Sequence, residues 1–101
     1  MQGRKVYITL NHVDHFVDNP GFFHVGDELT LKKDRNNEYD DEAIIAHKEG
    51  MKSAYVANSV SSVARGTFSA GRIYNLIGEE AKCVIRFILS EQDVMIAELY
   101  D

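Results

Sequence analysis

Cys83-Val84-Ile85-Arg86-Phe87-Ile88-Leu89, followed by Ser90-Glu91-Gln92-Asp93 and then Val94 to Tyr100, is the stretch that decides the fold. The first run is dense in β-forming residues, the polar residues turn the chain, and the last run returns it. Together they read as a closing β-hairpin. Working back toward the start, Val6, Ile8 and Leu10 alternate with Tyr7 and Thr9, the period of a strand with one face buried. A second strand is expected from Asp27 to Lys33 with Leu29 and Leu31 inward. It stops at Asp34-Arg35-Asn36-Asn37, whose short polar side chains can bond their own backbone and so favour a turn. Ala43 to His47 gives a third strand, Glu49-Gly50 a tight connection, and Lys52 to Ala57 a fourth.

The intervening pieces lack that period. Asn11 to Gly26 is poorly periodic, and Asp18-Asn19-Pro20-Gly21 marks a bend that should tuck Phe22 and Phe23 back onto the body. Asn58 or Ser59 is placed to cap a two-turn helix with Val60, Val63 and Ala64 on one face and Gly66 as its left-handed stop. Ser69 to Gly71 reads as a breaker, and Ile73 to Ile77 as a further helical turn. No helix is long enough for a crossover between parallel strands. The expected fold is mainly β: a small six-stranded, partly closed β-barrel of the OB or SH3-like kind, with one or two short helices. Closure is the economical solution because it hides strand edges.

With 101 residues, 45% of them apolar, and a single Pro, the chain has the size and composition of one folded domain, 1–101. Cys83 is the lone cysteine, which excludes an internal disulfide and a thiolate zinc cluster and fits a reducing, cytoplasmic setting. Apolar runs are too short for a membrane helix, so no membrane partner is expected. Sixteen acidic against eleven basic residues give a net charge of −5, which works against indiscriminate phosphate binding and leaves room for a small local site.

The charged turn with its flanking strands, Leu29 through Asn37-Glu38-Tyr39-Asp40-Asp41-Glu42-Ala43-Ile44 to Ala46, resembles the signature of the HIRAN domain. In that family a strand ends in a charged turn, then Asn, any residue, Tyr, Asp, two variable residues, Ala and Ile. The pattern continues into Ser53-Ala54-Tyr55-Val56-Ala57, so the likeness spans roughly Lys5 to Gly71. It implies a small β-barrel that binds single-stranded DNA at its 3′ end, as an accessory to DNA-processing enzymes. Family roles carried over put Asn37 and Asp40 on the terminal nucleotide and its 3′-hydroxyl, and Tyr39 on a base.

The residue types suit those roles. Stacking on a Tyr ring contributes about 1–3 kcal/mol and tolerates any base. A carboxylate accepts from a free sugar hydroxyl and cannot donate to a phosphate, while an amide does both. A purely structural alternative stands beside this: Asn37 and Asp40 capping backbone N–H groups, and Tyr39 packing on Phe22 or Phe23. The chain also departs from the DNA-binding members after the first strand, where Asn11-His12-Val13-Asp14-His15-Phe16 holds no Arg or Lys. Weaker DNA affinity, or another ligand, is the expectation. His12, Lys52 and Arg72 are the secondary candidates for nucleic-acid contact, with His47 and Lys52 as the nearest phosphate partners around the following hairpin.

Other chemistries are thinner. His12, Asp14, His15 and His24 match no closed metal spacing, so neither metal nor cofactor is expected. Gly66-Thr67-Phe68-Ser69-Ala70-Gly71-Arg72 could cradle an anion, with Arg65 or Arg72 on a phosphate, or be no more than a helix stop and a turn. No nucleophile elbow surrounds any Ser, and Cys83 in an apolar strand should be an inert thiol. The two function classes left are a 3′-end-binding module and a protein-interaction or regulatory domain that has lost DNA binding. In either class the chain is not an enzyme.

Overall fold

The computed structural model describes residues 5–12, 16, 20–59, 61–89, 91 and 93–100, His12 and Pro20 by their backbone alone. Six strands form one sheet: β1 (Val6–His12), β2 (Glu28–Lys33), β3 (Ile44–Lys48), β4 (Met51–Val56), β5 (Glu80–Leu89) and β6 (Val94–Tyr100). Their order is β1-β4-β3-β2-β5-β6, every neighbour is antiparallel, and β6 pairs back onto β1. The barrel is thus fully closed, a stronger result than the partial closure expected, and no named strand is left with a whole free edge.

Alternation decides what fills it. Val6, Ile8 and Leu10 point inward from β1, Leu29 and Leu31 from β2, Ile44 and Ala46 from β3, and Cys83 and Ile85 from β5. Six strands leave a narrow interior, and small residues fit where two strands approach, as where Ala46 faces Ala54 and Ile85 faces Ala97. Burial also pushes the Cys83 thiol up to about 12, so it stays protonated and unreactive at neutral pH. The β3–β4 connection is the expected tight turn, with Glu49 and Gly50 both at positive φ.

The two mouths are plugged differently. At the mouth where β2 begins, a 3-10 turn (Pro20–Phe22) delivers Phe23 into the core. Lys48 holds that turn, bonding the Phe22 carbonyl, pairing with Asp27 at 2.7 Å and lying over the Phe22 ring at 4.5 Å. Burial pushes the Asp27 carboxyl up, but hydrogen bonds from Lys48 and the His24 N–H outweigh it and hold the group below its ordinary value. At the other mouth the helix α1 (Ala70–Tyr74) inserts Ala70 and Ile73, with Ile77 just beyond its end.

The helix expected from Asn58 to Gly66 does not form. Residues 61–66 make successive turns, and Val60 lies outside the described residues. The segment is drawn onto β1 instead. Ala57 N donates to the Thr9 carbonyl (2.8 Å), Ala64 N to Thr9 Oγ1 (3.1 Å) and Phe68 N to the Tyr7 carbonyl (2.7 Å). Thr67 Oγ1 donates to the Ala64 carbonyl, so in its 2.8 Å contact with Thr9 Oγ1 it is the acceptor. Thr9 faces outward yet is fully buried beneath this segment. Gly66 keeps its left-handed backbone, at φ +87°, as a turn residue rather than a helix stop. The stretch read as a breaker starts the real helix: Ser69 Oγ accepts from Arg72 N at 3.2 Å, and Gly71 lies inside. Among the described residues no helix is long and apolar enough to cross a membrane.

Candidate functional site

The connection from Asp34 to Ala43 lies at the α1 mouth, where β2 ends and β3 begins. Its shape is set by two side chains. Asn37 Oδ1 accepts from the N–H groups of Tyr39 and Asp40, both at 2.9 Å, while its Nδ2 donates to Asp34 at 3.3 Å. Asp40 Oδ1 accepts from Glu42 N at 2.9 Å, and Oδ2 accepts from Asn58 Nδ2 at 3.0 Å. These bonds supply the partners a non-repetitive backbone otherwise lacks. They also offset the like-charge run Asp40-Asp41-Glu42.

Tyr39 is the exception. It is 94% exposed and does not pack on Phe22 or Phe23, whose rings meet each other edge to face. The capping half of the structural alternative is therefore present and its packing half is not. A pinned loop holds a phenol ring out in solvent.

Bonding capacity remains at one of the two pinning residues. An ionised carboxylate offers about four acceptor sites, and Asp40 uses one on each oxygen. Asn37 Oδ1 is saturated, and its Nδ2 is taken up by Asp34 and the hydroxyl of Tyr55. The site can thus accept from a hydroxyl at Asp40 and stack a ring on Tyr39.

Two residues that the sequence reading passed over complete the cluster. Tyr55 faces outward on β4, opposite Asn11 of β1, with its ring 5.5 Å from that of Phe16. Its hydroxyl reaches Asp34 and Asn37, and burial, then the Asp34 charge, push its pKa up. Asn58, expected as a helix cap, bridges Asp40 to α1, since its Oδ1 accepts from Gly71 N at 2.7 Å. A Cβ at Gly71 would stand 2.7 Å from Glu42 Oε1, the end of a flexible side chain, and 3.2 Å from Asn58 Oδ1, so a side chain there would press on the bridge. Only the Asn-rich composition of 58 and 37 hinted at this network. The signal for Tyr55 exists only once the barrel is closed.

The secondary candidates disperse. Lys52 pairs with His47 beside the β3–β4 turn, while the Asp34–Ala43 loop meets β3 at Ile44. That separates them by roughly 10 Å along the strand, and sequence proximity to the motif was misleading. His47 sits at a β-bulge with its Nδ1 buried and unpartnered among the described residues, a poor posture for gripping phosphate. Arg72 does come close, one residue beyond Gly71, stacked on Phe68 at 4.1 Å. His12 ends β1 beside Tyr55, and its side chain, like Asp14 and His15, lies outside the described residues. His24 lies near Asp27, and among the described residues no group of three or more metal-binding side chains gathers.

The electrostatics of the loop are one-sided. Asp34, Glu38, Asp40, Asp41 and Glu42 stand against Arg35 alone, and Arg35 is paired with Glu79. Lys33, at the end of β2, lies over the Tyr74 ring at 4.4 Å. Scans of protein-family models, curated proteins and solved structures return no significant match for this chain.

Proposed function

We propose that the chain is a cytoplasmic, HIRAN-type module that holds the 3′ end of a single strand of DNA at the Asp34–Ala43 loop. It would act alongside a DNA-processing enzyme. The observation that carries this reading is the posture of Tyr39: a large aromatic side chain almost wholly in solvent on a loop fixed by its own hydrogen bonds. Exposing a ring on a rigid turn costs stability and gains nothing for the fold, whereas it presents a stacking surface at little entropic cost on binding. Asp40, with acceptor sites to spare, would take the 3′-hydroxyl and disfavour a 3′-phosphate by charge.

Fluorescence anisotropy at low salt, with a short strand ending in 3′-hydroxyl or 3′-phosphate, tests this. Binding should require the hydroxyl and weaken about five-fold or more in Tyr39→Ala, the size of one lost stacking contact. Failure of both strands to bind would sink the reading.

The acidic loop favours a second reading, a protein-interaction domain whose partner is basic. Glu38 and Asp41 separate the two, being exposed and, among the described residues, free of side-chain hydrogen bonds. The pair Glu38→Gln and Asp41→Asn should strengthen DNA binding under the first reading. Under the second it leaves DNA unbound and weakens a cationic peptide.

A further inference from the structure

A strand held at the acidic loop must lay its remaining phosphates elsewhere. Among the described residues the cations paired with no carboxylate are Lys5, Lys33, Lys52, Arg65 and Arg72, of which Lys33 lies over Tyr74 and Lys52 stands beside the β3–β4 turn. Lys32, Arg35, Lys48, Lys82 and Arg86 are each spent on a carboxylate. Arg65 is exposed without a carboxylate partner among the described residues, and so is Lys5. Arg72 is exposed with only the Phe68 ring beneath it. Arg65 and Arg72 lie on the segment that covers β1. Lys5 immediately precedes β1, Phe68 bridges to Ile8, and Arg65 precedes the Gly66–Thr67 turn that covers Thr9.

Between that turn and β5 lies an open cleft of about 300 Å³, mostly apolar, lined by Tyr7, Arg65, Thr67, Phe87, Leu89 and Ile96 among others. A β-bulge between Ile85 and Phe87 turns Phe87 outward, leaving it 58% exposed. Glu98, the carboxylate opposite Tyr7, is neutralised by Arg86 at 3.0 Å. Glu91 and Asp93 follow Leu89 in the connection from β5 to β6.

A chain of contacts joins this face to the loop. Asp40 bonds Asn58, Asn58 bonds Gly71, and the next residue, Arg72, stacks on Phe68, whose N–H bonds Tyr7. We infer that the cleft between the Arg65–Thr67 turn and Phe87 is a second nucleic-acid subsite, which docks the body of a single strand, a base on Phe87 and phosphates on Arg65 and Arg72. The inference rests on the nucleic-acid reading for the class of ligand, though not for the end that is held. Unpaired guanidinium groups beside exposed rings are the combination that binds single strands without sequence preference.

The test compares a thymidine trinucleotide with a thymidine dodecamer on the wild type, Arg65→Ser, Phe87→Ser and Tyr39→Ala. The wild type should bind the dodecamer about tenfold tighter. Arg65→Ser and Phe87→Ser should lose that gain while binding the trinucleotide as before, and Arg65→Ser should flatten the salt dependence by roughly 0.7 in log–log slope. Amide shifts at Gly66, Thr67 and Ile96 should accompany the dodecamer alone. A length gain that survives both substitutions overturns the inference, as does failure of either strand to bind. An acidic, phenylalanine-bearing peptide that binds through Phe87 where the dodecamer does not would overturn it in favour of a protein partner. A dodecamer gain that depends on Arg65 and Phe87, yet ignores Tyr39→Ala and the 3′ group, upholds the subsite and defeats the end-holding reading instead.

Discussion

The Asp34–Ala43 loop and the Ala57–Arg72 segment are both irregular, and both lie over the same barrel, yet they are held by opposite means. The loop is largely self-contained, with Asn37 and Asp40 bonding backbone N–H groups within a few residues of themselves. The segment is held from outside, by Thr9 and Tyr7 of β1 and, through Asn58, by Asp40. The first is rich in carboxylates, while the second carries guanidinium groups with no carboxylate partner among the described residues, Arg72 lying over the Phe68 ring. A self-bonded loop can carry a fully exposed ring because its shape does not depend on what that ring touches. A segment fastened by tertiary bonds keeps its shape only while the barrel beneath it is intact.

Three substitutions probe that contrast. Ile73→Ala should do the most damage, about 2–5 kcal/mol by denaturant unfolding, because it removes a fully buried side chain from the plug beneath both regions. If the two are mechanically joined through α1, amide exchange should rise in the Asp34–Ala43 loop as well as around Phe68. Asn58→Ala removes the bridge and leaves Gly71 N and Asp40 Oδ2 without it, so about 1–3 kcal/mol is expected. A double-mutant cycle with Asp40→Ala should show coupling, and strict additivity would mean that the two regions are independent. Tyr39→Ala should change stability by under about 0.5 kcal/mol, since its ring touches so little. A large loss there would show that the loop needs its ring after all.

Strand periods made the barrel legible: all six strands were foreseen, within a few residues at their ends, because alternation at Val6–Leu10 and Leu29–Leu31 records burial directly. The Ala57–Arg72 segment was not. Val60, Val63 and Ala64 have helical spacing, but bonds from Ala57, Ala64 and Phe68 to β1 outcompete the local i to i−4 ladder. Gly71 looked like a breaker because a sequence does not show the Glu42 and Asn58 atoms that fill the space beside it. At the site, the capping roles of Asn37 and Asp40 follow from residue type and spacing. The position of Lys52 does not, since an antiparallel register carries it away from residues only a dozen places earlier. Tyr55 and Asn58 enter the cluster through the closed sheet and through α1, which no local pattern encodes.

The seam that closes the barrel joins nearly the first described residues to the last, Val6 to Leu99 and Asn11 to Val94. A ribosome adds about 5–20 residues per second, so β1 waits several seconds for its neighbour β6 to be made. Until then Ile8 and Leu10 lack the hairpin that covers them, and β1 can only rest against β4. Topologies dominated by such distant pairings fold in the slower range. The interval before β6 emerges is thus the time when a growing copy of this chain is most open to capture by chaperones or by another unfinished copy.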